Sequence, residues 1–156
     1  MRKHILLTVT GIAVIAFGFA VSALLADRET SFMLKPDEAG IVAQGRLIYT
    51  QNCATCHGEN LEGQPNWKSP GPNGRLPAPP HDETGHTWHH TDEILFGLTK
   101  YGAAKFAGIE NYETDMPVYE NVLSDQEIVA VLSYIKAQWP KEIRKRHDRM
   151  NSQAAN

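Results

Sequence analysis

The chain has 156 residues, a formal net charge of −3 at pH 7 and 42% hydrophobic residues. This length leaves room for one domain beyond a targeting segment. Residues 29–139 hold 15 acidic and 7 basic side chains, a balance of −8. Nucleic-acid binding is therefore not expected of this part of the chain. Residues 140–150 hold 5 basic and 2 acidic side chains, a balance of +3.

The first predicted element is an apolar segment of 22 residues, Ile5 to Ala26, that contains no charge. As a helix it would be roughly 33 Å long, enough to cross a hydrocarbon core of about 30 Å. Arg2 and Lys3 precede it, so the positive-inside rule keeps the N-terminus in the cytoplasm and sends the remainder outside. We therefore predict a membrane anchor at 1–26. The alternative is a cleaved signal peptide, for which the small residues 21–23 offer a cleavage site.

A short polar linker, residues 27–36, leads into a predicted helix from Asp37 to Gln51. Pro36, Asp37 and Glu38 suit the first turn of a helix, since proline has no N–H to satisfy there and acidic groups favour the positive end of the dipole. The apolar face is supplied by Ile41, Val42, Leu47, Ile48 and Tyr49.

Directly after this helix comes the run Cys53-Ala54-Thr55-Cys56-His57, a C-x-x-C-H pattern typical of haem c attachment. Two thiols at this spacing can each add to a haem vinyl group, and His57 then faces the iron as a ligand. A redox dithiol or half of a zinc site is the alternative, but the chain has no third cysteine. We predict one haem c, bound covalently by Cys53 and Cys56, with His57 as the proximal iron ligand.

Residues 60–80 are rich in proline and glycine and predict a long loop without regular structure that wraps the haem edge below His57. One of the prolines after His57 is expected to accept a hydrogen bond from the N–H of the His57 ring and so fix its orientation. Trp67 and Arg75 in the loop, together with Trp88, are candidates for hydrogen bonds to the haem propionates.

Four histidines follow within ten residues: His81, His86, His89 and His90. Histidine is a common metal ligand, so a copper or zinc site is one interpretation. Hydrogen bonds to the propionates, or packing of the long loop, are the ordinary alternatives.

Two further helices have clear boundaries. One is predicted from Thr91 to Tyr101, with Gly102 as its stop signal. The other begins at Ser124, where Ser124 and Glu127 fit a capping box. Apolar residues then recur at helical spacing, at positions 128, 131, 132 and 135.

Pro140 interrupts this last helix, since proline cannot continue the hydrogen-bond ladder. The remaining residues, 141–156, form a charged C-terminal tail, predicted as a separate helix to Met150 and a frayed end from Asn151.

Over residues 37–139 the chain resembles a class I c-type cytochrome of the membrane-anchored, bacterial monohaem kind. Gly45-x-x-x-Tyr49-x-x-x-Cys53 is similar to the first helix of that family, and Val131 and Tyr134 are similar to positions of its last helix. The resemblance implies an all-α cytochrome c-like domain, here residues 37–140, around one covalent haem. It also implies that the first and last helices cross at Gly45.

The resemblance further implies that Met116, followed by Pro117 in the loop before the last helix, is the distal iron ligand. An ordinary core role for this methionine is the alternative, as is replacement by one of the four histidines. A Met/His pair favours reduced iron and leaves no open position for a substrate.

Together these features imply one-electron transfer rather than an enzyme activity. The protein would be a carrier or a subunit between respiratory redox partners such as membrane redox complexes, oxidases or reductases. The haem domain would lie outside the bacterial cytoplasmic membrane, with its acidic surface as a docking face for a basic partner or simply solvated. The alternatives are a haem enzyme or gas-binding sensor with an open iron site, and a copper-handling protein that uses the His81–His90 loop.

Overall fold

A computed structural model describes residues 33–110 and 112–154, and within them the chain forms helices joined by loops. The helices are α1 (Ala39–Asn52), α2 (Ala54–His57), a 3₁₀ turn (Thr87–His89), α3 (Asp92–Tyr101), α4 (Ala103–Ala107), α5 (Asp125–Gln138) and α6 (Lys141–Ala154). The described part of the chain contains no strand, which confirms the predicted all-α class.

None of the helices in 33–110 and 112–154 is both long and apolar enough to cross a membrane. The predicted anchor at 1–26 lies outside the described residues, so it stays a prediction.

Helices α1 and α5 cross in direct contact at Gly45. A Cβ on Gly45 would lie 2.0 Å from the carbonyl oxygen of Ala130 and 2.9 Å from the Cβ of Tyr134. Tyr49, one turn further along α1, is 1% exposed and packs its ring 5.4 Å from that of Tyr134. The predicted crossing is confirmed, and it requires glycine because the two backbones touch.

The core surrounds α5, whose inward side chains are almost fully buried. It consists of the buried residues Leu34, Ile48, Tyr49, Leu61, Leu95, Phe96, Tyr119, Leu123, Ile128, Ala130, Val131, Leu132, Ile135 and Trp139, with partly buried apolar residues packed against them. Burial of each large apolar side chain stabilises the fold by roughly 1.5–3 kcal/mol relative to exposure.

The predicted boundaries of α3 and α5 are confirmed. The Thr91 hydroxyl accepts a hydrogen bond from the backbone N–H of Ile94, and Gly102 ends α3 at a φ of 82°. Ser124 and Glu127 form the reciprocal capping box at the start of α5. Pro140 separates α5 from α6.

Helix α1 begins two residues later than predicted. The backbone N–H of Glu38 bonds to the carbonyl of Lys35 at 3.2 Å, and Glu38 is extended, with ψ of 98°. Pro36 and Asp37 therefore form a turn that precedes the helix, and Glu38 is its N-cap residue.

The C-terminal segment also differs from its prediction, because α6 continues to Ala154. Asn151 accepts a hydrogen bond from the backbone N–H of Asp92 at 2.8 Å and donates one to its carboxylate at 3.0 Å. His147 is fully buried and its Nε2 lies 2.8 Å from the carbonyl oxygen of His90. The prediction of a frayed end from Asn151 is wrong for residues 151–154, since these contacts hold the helix on the domain.

The end of the predicted linker is likewise attached to the domain. Leu34 is buried and its N–H donates to the Asp92 carboxylate at 2.9 Å. The N–H of Lys35 donates to the Ser133 hydroxyl at 2.8 Å. Leu34 and Lys35 are therefore fixed on the domain by these contacts.

Candidate functional site

The cysteine pair lies on a single turn that continues α1. The N–H of Cys53 bonds to the carbonyl of Tyr49 at 2.8 Å, and the N–H of His57 bonds to the carbonyl of Cys53 at 2.9 Å. The Cys56 side chain is exposed, whereas Cys53 is half-buried. Burial, with a smaller effect of Cys56, raises the pKa of the Cys53 thiol to about 11. Neither cysteine takes part in a disulfide, so both sulfur atoms are available for attachment of a group.

The imidazole of His57 is buried, and its Nδ1 lies 2.9 Å from the carbonyl oxygen of Pro79. A carbonyl oxygen only accepts, so Nδ1 carries the proton and Nε2 keeps the lone pair that a metal ligand needs. Burial lowers the pKa of His57, although the bond to Pro79 opposes that change. The predicted proline partner is confirmed, and it is Pro79.

Two glycines approach the Pro79–Pro80 backbone closely. A Cβ on Gly63 would lie 2.6 Å from the carbonyl carbon of Pro79 and 2.4 Å from the nitrogen of Pro80. A Cβ on Gly85 would lie 2.0 Å from the carbonyl oxygen of Pro80. The chain can approach the Pro79 peptide this closely only because neither residue has a side chain.

The long loop has no helix or strand, as predicted, yet hydrogen bonds between distant positions close it. The N–H of Gln64 donates to the carbonyl of Ala78, and the N–H of Ala78 donates to the Gln64 side chain, both at 2.9 Å. The N–H of His81 donates to the carbonyl of Leu61 at 2.7 Å. These bonds define the position of Pro79 relative to His57.

His81 is the one of the four clustered histidines that reaches the site. Its ring stacks on that of His57, with 4.0 Å between centroids, and its Nδ1 lies 2.8 Å from the Thr87 hydroxyl. Burial, together with the neighbouring His57 and His86, lowers the pKa of His81 well below its ordinary value. A neutral His81 therefore packs against His57.

The other three histidines contact aromatic rings. His86 stacks on Trp67 at 5.3 Å, and His89 packs on Trp88 at 3.8 Å. His86 and His90 meet edge to face at 5.6 Å. Among the described residues, no three His, Cys, Asp or Glu side chains are grouped so as to hold a metal ion. The ring contacts of His86, His89 and His90 agree with a role in packing the long loop, which was the ordinary alternative to a metal site.

Tyr119 connects the Met116 loop to the cysteine turn and was not predicted from the sequence. The Tyr119 side chain is buried, and its hydroxyl donates to the carbonyl of Asn52 at 2.7 Å. Burial, with the nearby Cys53 and Cys56, raises the pKa of Tyr119 to about 12. The sequence feature that could have identified Tyr119 is its position as an aromatic residue between the Met116-Pro117 pair and the last helix of the matched domain, α5.

Met116 lies on an exposed segment, with 36% of the residue accessible. Its neighbour Asp115 accepts from Arg75 and Asn73 of the long loop. Arg75 was predicted as a candidate donor of a hydrogen bond to a haem propionate. In the structure it donates to the carboxylates of Glu113 and Asp115, which lie just before Met116. Ligation of iron by Met116 stays a prediction.

The segment that carries Met116 exposes an unusual amount of apolar surface. The segment from 106 to 122 exposes six large apolar side chains: Phe106, Ile109, Tyr112, Met116, Val118 and Val122. An open pocket of about 340 Å³ lies between this segment and the long loop, lined by Asn73, Gly74, Leu76, Tyr112 and Glu113, and none of the cysteines, His57 or Met116 lines it. Soluble proteins seldom leave so much apolar surface in water unless it binds something.

Comparison with models of protein families gives a match to cytochrome c over residues 42–139. Comparisons with curated proteins and with solved structures gave no significant match. The matched segment includes most of α1, all of α5 and the cysteine pair with His57. It covers more than half of the chain. The chain therefore belongs to the cytochrome c family, and its cofactor is covalently bound haem c.

Proposed function

We propose that this protein is a membrane-anchored class I cytochrome c with one haem, which carries single electrons between respiratory redox partners. The observation that carries this proposal is the geometry of His57. Its Nδ1–H is held by Pro79 at 2.9 Å, one residue after a cysteine pair on the same turn. A neutral imidazole with a free Nε2 beside two thiols is what covalent haem attachment and iron ligation both need.

In this proposal the chain binds the haem through four residues. Cys53 and Cys56 form the thioether bonds, His57 ligates the iron through Nε2, and Met116 ligates it from the opposite side. The haem supplies the iron that changes oxidation state. Pro79 keeps the His57 ring from rotating and increases the basicity of its Nε2 through the hydrogen bond. A fixed ligand needs little rearrangement when the charge on the iron changes.

A redox titration of the full-length protein, followed by absorption, tests this function. We expect one reversible wave that fits a single electron, and haem that stays on the polypeptide after denaturation. The variant Cys53→Ser with Cys56→Ser should release its haem on denaturation. Haem that dissociates from the denatured wild type would contradict covalent attachment, and an irreversible wave would contradict the carrier role.

The proposed location is the outer side of the bacterial cytoplasmic membrane, with the 22 uncharged residues from Ile5 to Ala26 as the anchor. Because Leu34 is bound to the domain, only the seven residues 27–33 separate the proposed anchor from it, and a chain of that length spans at most about 25 Å. A partner would therefore lie beside the anchor in the membrane. Retention of the protein in membranes washed with alkaline carbonate would support the anchor, and its release would contradict it.

A basic surface on the partner is expected, since residues 29–139 carry a balance of −8. Glu113 and Asp115 near the Met116 segment have exposed side chains, 72% and 60% accessible. The rate of electron transfer to the partner should fall as the salt concentration rises, because salt screens attraction between exposed charges. A rate independent of salt would contradict electrostatic docking.

A further inference from the structure

Two segments without helices carry the residues on either side of the proposed iron. The long loop provides Pro79, which holds His57, and residues 112–123 include Met116. Four side chains join these segments directly. They are Asn73 and Arg75 from the loop, and Glu113 and Asp115 from the other segment.

Both oxygens of the Asp115 carboxylate are bound from the long loop. Arg75 donates from Nη1 to Oδ1, and Asn73 donates from Nδ2 to Oδ2 at 3.4 Å. The same guanidinium donates from Nε and Nη2 to the Glu113 carboxylate, both at 3.4 Å. A planar guanidinium suits this double contact, since its donors form a rigid fork.

Arg75 extends from a backbone that is itself held in a tight turn. Its carbonyl accepts from the N–H of Gly71 at 2.8 Å, and its N–H donates to the Asn73 side chain at 3.1 Å. Gly74 within the turn has a φ of 78°, a conformation that favours glycine. The guanidinium therefore reaches Asp115 from a defined starting point four residues before Pro79.

On the other segment, Asp115 directly precedes Met116. After Met116, the next tertiary attachment is Tyr119, whose hydroxyl bonds to the carbonyl of Asn52 and whose N–H bonds to that of Thr99 at 3.4 Å. Met116 thus lies between two attachments, with Arg75 holding the residue before it and Tyr119 the chain after it.

We propose that Arg75 is a positioning residue that holds Met116 on the iron through Asp115, and so couples the segment on one side of the haem to the segment on the other. This inference rests on the proposed ligation by Met116. Without the ion pair, Asp115 keeps only the hydrogen bond of 3.4 Å from Asn73 as its contact with the loop, and the fraction of molecules with Met116 detached rises. An exposed ion pair has a modest effect, so the expected rise is roughly two- to fivefold.

Competition by imidazole measures this fraction in the intact ferric protein, because imidazole takes the distal position only when Met116 has left it. The far-red iron–methionine absorption band reports the loss. Full-length wild type, Arg75→Gln, Asp115→Asn and the double variant are compared. Arg144→Gln is the matched control, since it removes another arginine–aspartate ion pair, Arg144 with Asp37 at 2.6 Å, which lies outside both segments.

We expect the imidazole concentration at half-saturation to fall roughly two- to fivefold in Arg75→Gln and in Asp115→Asn. The double variant should fall by less than the product of the two single effects, because the Arg75–Asp115 ion pair is already lost in each single variant. Arg144→Gln should match wild type. Unchanged values in the single variants would overturn the proposal. An effect of Arg75→Gln without one of Asp115→Asn would also overturn it, since Arg75 would then act elsewhere, for example on a haem propionate.

A wild type that lacks the far-red band would refute ligation by Met116 itself, and with it both proposals.

Discussion

The hydroxyl of Tyr119 donates a hydrogen bond of 2.7 Å to the carbonyl of Asn52, the last residue of α1. Asn52 is followed directly by Cys53, and Tyr119 comes three residues after Met116. One side chain therefore connects the haem-attachment turn with the segment that carries the proposed distal ligand. Tyr119 and Asn52 are 67 positions apart in the sequence.

Replacement of Tyr119 by phenylalanine should weaken this connection without removing the buried ring. Loss of a hydrogen bond that leaves a buried acceptor unpaired costs about 1–3 kcal/mol. We expect the free energy of unfolding of the haem-loaded protein to fall by about that amount, measured by denaturant titration. Tyr112→Phe is the control, since Tyr112 is 38% exposed. Equal stability of the two variants would argue against the connection.

Two glycines of α1 offer a matched test of the helix crossing. Gly45→Ala places a methyl group 2.0 Å from the carbonyl oxygen of Ala130, so the helices must separate, at a cost of about 1–3 kcal/mol. Gly40→Ala meets nothing within 4 Å and should raise stability by up to about 1 kcal/mol, because alanine favours the helix. Thermal unfolding of both variants checks the opposite signs. A stable Gly45→Ala would show that the crossing is looser than described.

The bond between His57 and Pro79 should influence the reduction potential. Gly85→Ala would push its methyl group against the carbonyl oxygen of Pro80, displace the adjacent Pro79 carbonyl and weaken this bond. A less basic His57 stabilises ferric iron less, so the potential should become more positive. Gly71→Ala is the control, since its Cβ would make only an ordinary contact, 3.4 Å from Asn73. An unchanged potential in Gly85→Ala would contradict this role of Pro79.

Acid should destabilise the protein partly through His147. Burial and the charge of Lys136 lower the pKa of His147 from its ordinary value of 6.5, although Asp92, the His90 carbonyl and Asp148 oppose the change. The folded state therefore binds this proton less readily than the unfolded state. Stability is unaffected well above pH 6.5 and falls as the pH drops below 6.5.

The variant His147→Gln isolates this contribution. Its free energy of unfolding should fall less steeply than that of wild type between about pH 6.5 and pH 5. Denaturant titrations at several pH values provide the comparison. Parallel pH profiles would show that His147 does not contribute to the acid sensitivity.

The sequence predicted well those features that depend on neighbouring residues. The capping box at Ser124, the stop at Gly102 and the break at Pro140 are local, and each is confirmed. The cysteine turn is local in the same sense, because its chemistry depends on five consecutive residues.

Contacts between distant residues were mostly not predicted, and the helix crossing at Gly45 was expected from the resemblance to a family rather than from any pattern in the sequence. The sequence indicated a proline partner for His57, but the choice of Pro79 depends on the close approach of Gly63 and Gly85. The prediction of a frayed end from Asn151 was wrong because Asn151 bonds to Asp92, 59 positions away. No periodicity in the sequence encodes such pairs, since each depends on how loops and helices pack.

The central claim is that Cys53, Cys56, His57 and Met116 hold a haem whose iron has no open position. Addition of carbon monoxide to the reduced full-length protein tests it most directly, with Met116→Ala and the exposed Met33→Ala compared under the same conditions. We predict that wild type and Met33→Ala do not bind carbon monoxide and show the far-red iron–methionine band when oxidised. Met116→Ala should bind the gas rapidly and lack the band. Rapid binding by the native wild type would contradict the account and favour a haem enzyme or gas sensor.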